Sequence, residues 1–247
     1  IFDVDGTLAD TERAGPRLAF NAAFREFGLD WEWDVPLYGK LLEVTGGKER
    51  IRFYVERFRP DFSRPKDFDD LVVALHKAKT GHYVELLGRG GIPLRSGVGR
   101  LLSEARDAGI RLAIATTTTP GNVAALLRHS LVGEPAEWFE VIAAGDVVPA
   151  KKPAPDIYLW ALDKLKLDAA DCLALEDSEN GVRASVGAGL KTVVTVNDYT
   201  LDHAFPGVVA VLSDLGEPGR PFRMVSGEAT GQECVDLDLL RRWHAAG

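Results

Sequence analysis

The sequence predicts an α/β protein, a parallel-sheet core with a small helical domain inserted after its first strand. Three observations carry that expectation. An apolar piece at 1–4 opens the chain, a helical texture fills residue 11 to about residue 91, and short apolar runs alternate with amphipathic stretches beyond Pro93. Strand and helix in alternation imply a parallel sheet covered on both faces.

Residues 1–4 read as a strand that runs out into the turn Asp5-Gly6-Thr7. In the helical block Leu18, Ala22, Phe20, Phe24 and Phe27 recur at spacings of three and four. Leu71, Leu75, Ala78, His82 and Leu86 do the same along a longer helix. Gly46-Gly47 precedes a new helix and Gly90-Gly91 closes the block. Beyond Pro93, residues 97–108 read as helix, 110–115 as buried strand, and a helix starts near Gly121. Strands at 140–144, 172–175, 192–196 and 208–212 alternate with helices at 155–167 and 181–187. From Gly216 onward the only signal is a short helix near 237–243. The expected division is a discontinuous core, residues 1–10 and 94–247, and a helical cap, residues 11–93.

The bulk numbers fit that plan. A chain of 247 residues, 46% apolar and 27% charged, can bury a sizeable core. A net charge of −8 argues against nucleic acid or an anionic membrane as partner, while a local basic pocket can still hold a phosphorylated substrate. No apolar run approaches the ~20 residues of a membrane span. Cys172 and Cys234 lack metal-ligand spacing, which points to a reducing compartment without disulfides. The chain opens on Ile1-Phe2-Asp3 without Met, so a leader cannot be judged. A cytoplasmic monomer is expected, or a stromal (chloroplast) one if a targeting segment has been removed.

Four motifs carry chemistry. Asp3-Val4-Asp5-Gly6-Thr7 follows a strand directly, and two carboxylates so placed suit nucleophilic attack and proton transfer at one phosphorus. Thr116, Thr117 and Thr118 end an apolar strand in hydroxyls and N–H groups that can hold phosphoryl oxygens. Lys152, held extended by the proline after it, offers a fixed ammonium against developing negative charge; Lys151 reads as a solvated surface charge, and on residue type alone the two roles can be exchanged. Glu176-Asp177-Ser178 ends another strand, and these acids converging with Asp3 make an all-oxygen site suited to Mg²⁺. Each motif lies at or just beyond the carboxyl end of a strand, or in the loop after one, the edge where open α/β sheets bind ligands.

Together these motifs resemble the haloacid dehalogenase superfamily, from Ile1 to about Val196. The resemblance implies a Rossmann-like core and Asp3 as nucleophile, with Asp5 as general acid and then base. It implies Thr116 and Lys152 on the phosphoryl group. Asp3, the Asp5 backbone carbonyl, Asp177 and a supporting Glu176 would hold Mg²⁺.

The helical insert is narrower in its message. In Thr45-Gly46-Gly47-Lys48-Glu49-Arg50-Ile51, accessible glycine N–H groups and two cations stand at a helix start, which suits a second anionic group. His76 and Lys79 share a helix face that either reaches into a cleft or is solvated. Glu12 either bonds a sugar hydroxyl or starts the first cap helix. These stretches, with Asn122 and residues 151–158, resemble the CbbY-type phosphatases, which hydrolyse xylulose 1,5-bisphosphate, a Calvin-cycle misfire product that inhibits Rubisco. That likeness places Gly46, Gly47, Lys48, Arg50, His76 and Lys79 on the distal phosphate, with Glu49 elsewhere at the substrate. It places Glu12 on the sugar and Thr117, Thr118 and Asn122 at the substrate. The rivals are a sugar phosphomutase of the β-phosphoglucomutase type and a non-catalytic phosphosugar sensor.

Overall fold

The structure, a computed structural model, describes residues 1–11, 15–89, 92–131, 135–228 and 231–246. Among the described residues four helices come first: α1 (Pro16–Glu26), α2 (Val35–Leu41), α3 (Gly47–Phe58) and α4 (Phe68–Gly88). Proline in the first turn starts α1 and α2, where no N–H is missed, and the Asp34 carboxylate caps α2 by accepting from Leu37 N at 2.7 Å. These helices close around their own aromatic core of Phe20, Phe24, Trp31, Trp33, Tyr38 and Tyr54. Ring pairs such as Phe20–Trp33 (4.6 Å) and Phe24–Trp31 (5.3 Å) meet tilted or edge-on.

The expected stripe along α4 is shifted. Val72, Leu75, Lys79, Tyr83 and Leu87 are its buried residues, while Leu71, Ala78, His82 and Leu86 are only half-buried. The reason is Lys79: its stem packs like an apolar chain while its ammonium lies over the rings of Phe20 (5.2 Å) and Tyr83 (5.0 Å). Gly90 and Gly91, expected to close the block, lie outside the described residues.

The remainder alternates: α5 (Val98–Asp107), β1 (Ala113–Thr116), α6 (Pro120–Ser130), β2 (Val141–Ala144), α7 (Asp156–Leu165), β3 (Leu173–Glu176), α8 (Glu179–Gly187), β4 (Lys191–Thr195), β5 (Ala210–Leu212), β6 (Met224–Ser226) and α9 (Leu237–Ala245). β1 pairs parallel with β2, β3 with β4, and β4 with β5. The opening segment lies between β1 and β3, with Phe2 bridged in parallel to Ile114 on one side and Leu175 on the other. It is narrower than the strand expected over 1–4, because only Phe2 is bridged. Asp3 still donates its N–H to Leu175 O at 3.0 Å and so leaves the sheet beside β3.

Parallel strands buried on both faces need apolar residues throughout, and β1 and β3–β5 are buried along nearly their full length. One face is covered by Leu101, Leu102, Val123, Leu126 and Trp243; the other by Ile157, Tyr158, Ala161 and Ala184. Residues 208–212 were expected to hold the last strand. β6 instead adds an antiparallel edge to β5, and the segment that seemed featureless folds back on the core. Arg100 ties it down by donating to the carbonyls of Leu215 (3.1 Å), Gly216 (3.1 Å) and Val235 (3.0 Å). Among the described residues no helix is long and apolar enough to cross a membrane.

Candidate active site

The carboxyl ends of the central strands converge on Lys152, whose side chain is 4% exposed. Its ammonium donates to Asp3 Oδ1 at 2.7 Å, Glu176 Oε1 at 2.6 Å and Ala115 O at 2.9 Å. Tyr158, one turn into α7, donates to the same Glu176 oxygen at 2.5 Å. Burial pushes the Asp3 carboxyl up to about 8, with the charges of Glu176 and Asp5 adding to it and Lys152 opposing. Burial would lower the Lys152 ammonium, but Asp3 and Glu176 outweigh it and hold the group above its ordinary value.

Asp177 is held from two sides: Asn197 Nδ2 donates to Oδ2 at 2.7 Å and Thr7 Oγ1 to Oδ1 at 3.3 Å. Gly6 makes this possible. Its φ of +90° suits glycine, and a Cβ there would lie 2.2 Å from Asp177 Oδ2. Arg95 braces the floor, its guanidinium donating to the carbonyls of Gly6, Thr195 (2.9 Å) and Ser213 (2.9 Å). Asp5 Oδ1 accepts from Thr11 Oγ1 at 2.6 Å, which fixes that carboxylate at the cavity wall.

Oxygens of Asp3, Glu176 and Asp177 lie within 4.8 Å of one another, and all three residues are buried. Three carboxylates against one ammonium leave an excess of negative charge in a dry site, which suits a divalent hard cation. Glu176 is the exception within this set. Its Oε1 is taken by Lys152 and Tyr158, and its Oε2 accepts from Asp177 N at 3.2 Å, so it stands as a brace behind Asp3.

A cavity of about 600 Å³ opens between these residues and the helical insert. Asp3, Asp5, Thr116, Thr117, Thr118, Asn122, Lys152 and Asp177 line it from the sheet side. Thr116 is buried and its Oγ1 accepts from Thr118 N at 3.2 Å; Asn122 donates to Thr118 Oγ1 at 3.0 Å, at the start of α6. Gly46, Gly47, Arg50, His76, Lys79 and Phe20 face it from the other side. His76 is a neutral imidazole, lowered to about 4 by burial and by the charges of Lys79 and Lys48.

Two cations expected on a distal anion are otherwise engaged. Lys48 does not line the main cavity; it pairs with Asp146 at 2.6 Å across to the core. Arg50 lines it but spends its guanidinium on Leu41 O (3.1 Å), Val44 O (3.2 Å) and Tyr38 OH (3.1 Å), so it shapes the loop before α3. Glu49 likewise lies off the main cavity, against Gly46. Lys151, expected to be solvated, is only 13% exposed and pairs with Asp146 at 2.7 Å. Glu12 lies outside the described residues.

Sequence reasoning missed Tyr158, Asn197, Arg95 and Asn180. Asn197 obeys the rule that exposed the other motifs, a polar residue just past the end of an apolar strand, and could have been found by it. Asn180 joins the two parts of the molecule by donating to Glu43 O (3.0 Å) and Thr45 Oγ1 (3.1 Å).

The family model described as haloacid dehalogenase-like hydrolase matches residues 1–189. Protein CbbY of Cupriavidus necator is 50% identical over 245 residues, 99% of this chain and 95% of the relative. A CBBY-like protein of Arabidopsis thaliana is 39% identical, covering 88% of this chain and 69% of its own. A crystal structure of a CbbY variant from Rhodobacter sphaeroides in complex with xylulose-(1,5)bisphosphate superposes with a TM-score of 0.80. It is 46% identical and covers 86% of this chain and 92% of its own.

Proposed function

The chain belongs to the haloacid dehalogenase-like hydrolases and, within them, to the CbbY group, and from that premise we propose how it works and on what. It is a phosphatase that removes one phosphate from a ketopentose bisphosphate, with xylulose 1,5-bisphosphate the preferred substrate. The observation that carries this is the buried contact of Asp3 with Lys152 at one wall of a cavity of about 600 Å³, a volume that can take a sugar bisphosphate. A relative of 46% identity holds that bisphosphate.

Asp3 Oδ2 attacks the phosphorus and the ester oxygen leaves, forming an aspartyl phosphate. Asp5 protonates the leaving oxygen and then takes a proton from the water that hydrolyses the acyl phosphate. Thr116 and the N–H group of residue 117 hold the phosphoryl oxygens, and Lys152 offsets the charge that gathers on them. Asp3, Asp177 and the Asp5 carbonyl would hold Mg²⁺, with Glu176 behind them. When bound, the ion neutralises the phosphoryl group and lowers Asp3 toward its nucleophilic anion.

The cap residues Gly46, Gly47, His76 and Lys79 take the phosphate that stays, with Thr117, Thr118 and Asn122 on the core side. Binding energy from that remote group orients the reacting one, so a monophosphate should turn over poorly. The enzyme acts as a monomer, with no nucleic acid or membrane partner, and would protect Rubisco by clearing the inhibitor.

Phosphate release from a panel of mono- and bisphosphates, with Mg²⁺ and with the Asp3→Asn variant, tests the reading. Equal kcat/KM for mono- and bisphosphates would remove the cap from the argument. Isomerised sugar phosphate in place of free phosphate would make the chain a mutase. No turnover of any ester would make it a sensor.

A further inference from the structure

Asp146 sits in the single 3₁₀ turn Gly145–Val147 that follows β2, away from the reacting carboxylates. It receives two ammonium groups from opposite sides of the seam between insert and core. Lys48, in the first turn of α3, donates to Oδ2 at 2.6 Å; Lys151 donates to Oδ1 at 2.7 Å. Lys151 also donates to Gly145 O at 2.5 Å, which closes a small ring and fixes the loop between 145 and 151. The next residue in the chain is Lys152. We propose that Asp146 is a positioning residue that ties closure of the cap to the placement of Lys152.

The surroundings agree with that role. A side cavity of about 370 Å³ opens at this seam and shares Gly46, Gly47, His76, Thr117 and Thr119 with the main cavity. The carboxylate therefore stands where the two walls meet. The hydrogen bonds from Lys151 and Lys48 lower Asp146 to about 2, so it remains an anion at any working pH. Its two limbs differ in exposure. The Lys151 side chain is 13% exposed and stays with the core, whereas Lys48 is 26% exposed against a carboxylate that is 65% exposed. Ion pairs as open as Lys48–Asp146 are weak. A contact that must break and reform at each turnover has to be weak, whereas the fixed limb passes the closed position on to the loop.

A separate seam contact, Asn180 to Glu43 O and Thr45 Oγ1, has no limb to the Lys152 loop and serves as the comparison. The inference rests on the phosphatase reading, so its test has an arm that does not. Saturated turnover of xylulose 1,5-bisphosphate is measured for wild type, Lys48→Met, Lys151→Met, their double variant, Asp146→Asn and Asp146→Glu. Each single lysine variant should lower kcat about threefold to tenfold with KM within about twofold, and the double variant should be no slower than the worse single. Asp146→Asn should match the double, and Asp146→Glu should recover part of the loss. Asn180→Ala combined with Lys151→Met should instead multiply. Multiplying effects for Lys48→Met with Lys151→Met, or wild-type turnover in Asp146→Asn, would overturn the coupling. If no ester is hydrolysed, the activity reading fails alone, and amide exchange decides the coupling. Lys48→Met must then speed exchange at 147–152, and unchanged exchange there refutes it.

Discussion

Replacing Gly181 by alanine should cripple the protein from a position that touches no substrate. Gly181 is the third residue of α8, and a Cβ placed there would lie 1.9 Å from Glu176 Oε2 and 2.1 Å from its Cδ. The far end of a side chain usually yields to such a methyl. Glu176 cannot, because it is fully buried and held by Lys152 (2.6 Å), Tyr158 (2.5 Å) and Asp177 N (3.2 Å). Hydrogen bonds to a charged group contribute about 1.5–3 kcal/mol each. Losing two of them outweighs the ~1 kcal/mol by which alanine favours a helix over glycine, for a net destabilisation of about 3 kcal/mol. Lys152 loses a partner at the same stroke, and turnover should fall about a hundredfold. Urea unfolding and kcat measure the two effects. Gly187→Ala, in the same helix with its nearest neighbour at 3.7 Å, should be neutral to about 1 kcal/mol stabilising. Shortening the carboxylate in Gly181→Ala/Glu176→Asp should recover part of both losses. If Gly181→Ala unfolds at the wild-type urea concentration with kcat within about twofold, the account of Glu176 as a packed brace is wrong.

Asn197→Ala should remove one of the bonds that orient Asp177 and weaken the apparent Mg²⁺ affinity about tenfold or more, read from activity titrated against Mg²⁺. Lys152→Met strands two buried carboxylates and should destabilise by about 3–5 kcal/mol, a loss that added Mg²⁺ reduces more than it does for wild type; equal Mg²⁺ effects on the two urea midpoints would contradict it. His76 gives a pH signature. Its folded value, about 4, lies below its unfolded 6.5, so the unfolded state takes up the proton first as pH falls. Its stabilising share is complete above about pH 6.5 and is lost between there and about pH 4. The stability difference between wild type and His76→Phe should be flat from pH 7 upward and drift against wild type below 6.5, by urea midpoints at each pH.

The core was legible because its chemistry and its fold obey one rule. A run of apolar residues that ends in Asp, Thr or Glu is both a buried strand and a polar group at the ligand edge, so Asp3, Thr116 and Glu176-Asp177 could be placed without coordinates. Residues that act from behind obey no such rule. Tyr158 sits on a helix among Ile157, Ala161 and Leu162 and reads as core; its hydroxyl matters only because Glu176 comes within 2.5 Å from a segment 18 residues on. Arg95 reads as a linker charge, yet its donors reach three strand ends about a hundred residues away. β6 was invisible for another reason: three residues, two of them exposed, at an antiparallel edge carry neither the length nor the apolar run that marks a buried strand.

The insert shows where residue type stops being informative. Lys48, Arg50 and Lys79 carry the same charge and were read alike, as cations facing one anion. Folding sends them to three different destinations: a carboxylate 98 residues on, two carbonyls with a tyrosine hydroxyl, and the faces of two aromatic rings. Which of these wins is decided by distances that no local pattern encodes. The consequence reaches the chemistry. With Lys48 turned to Asp146 and Arg50 committed to the loop, the cap wall of the cavity is less cationic than its sequence. On the proposed reading, a distal phosphate then meets glycine N–H groups, Lys79 and a neutral imidazole. Recognition there should depend more on directed hydrogen bonds than on net charge, and the monophosphate penalty should survive added salt, which screens exposed charges and leaves buried donors untouched.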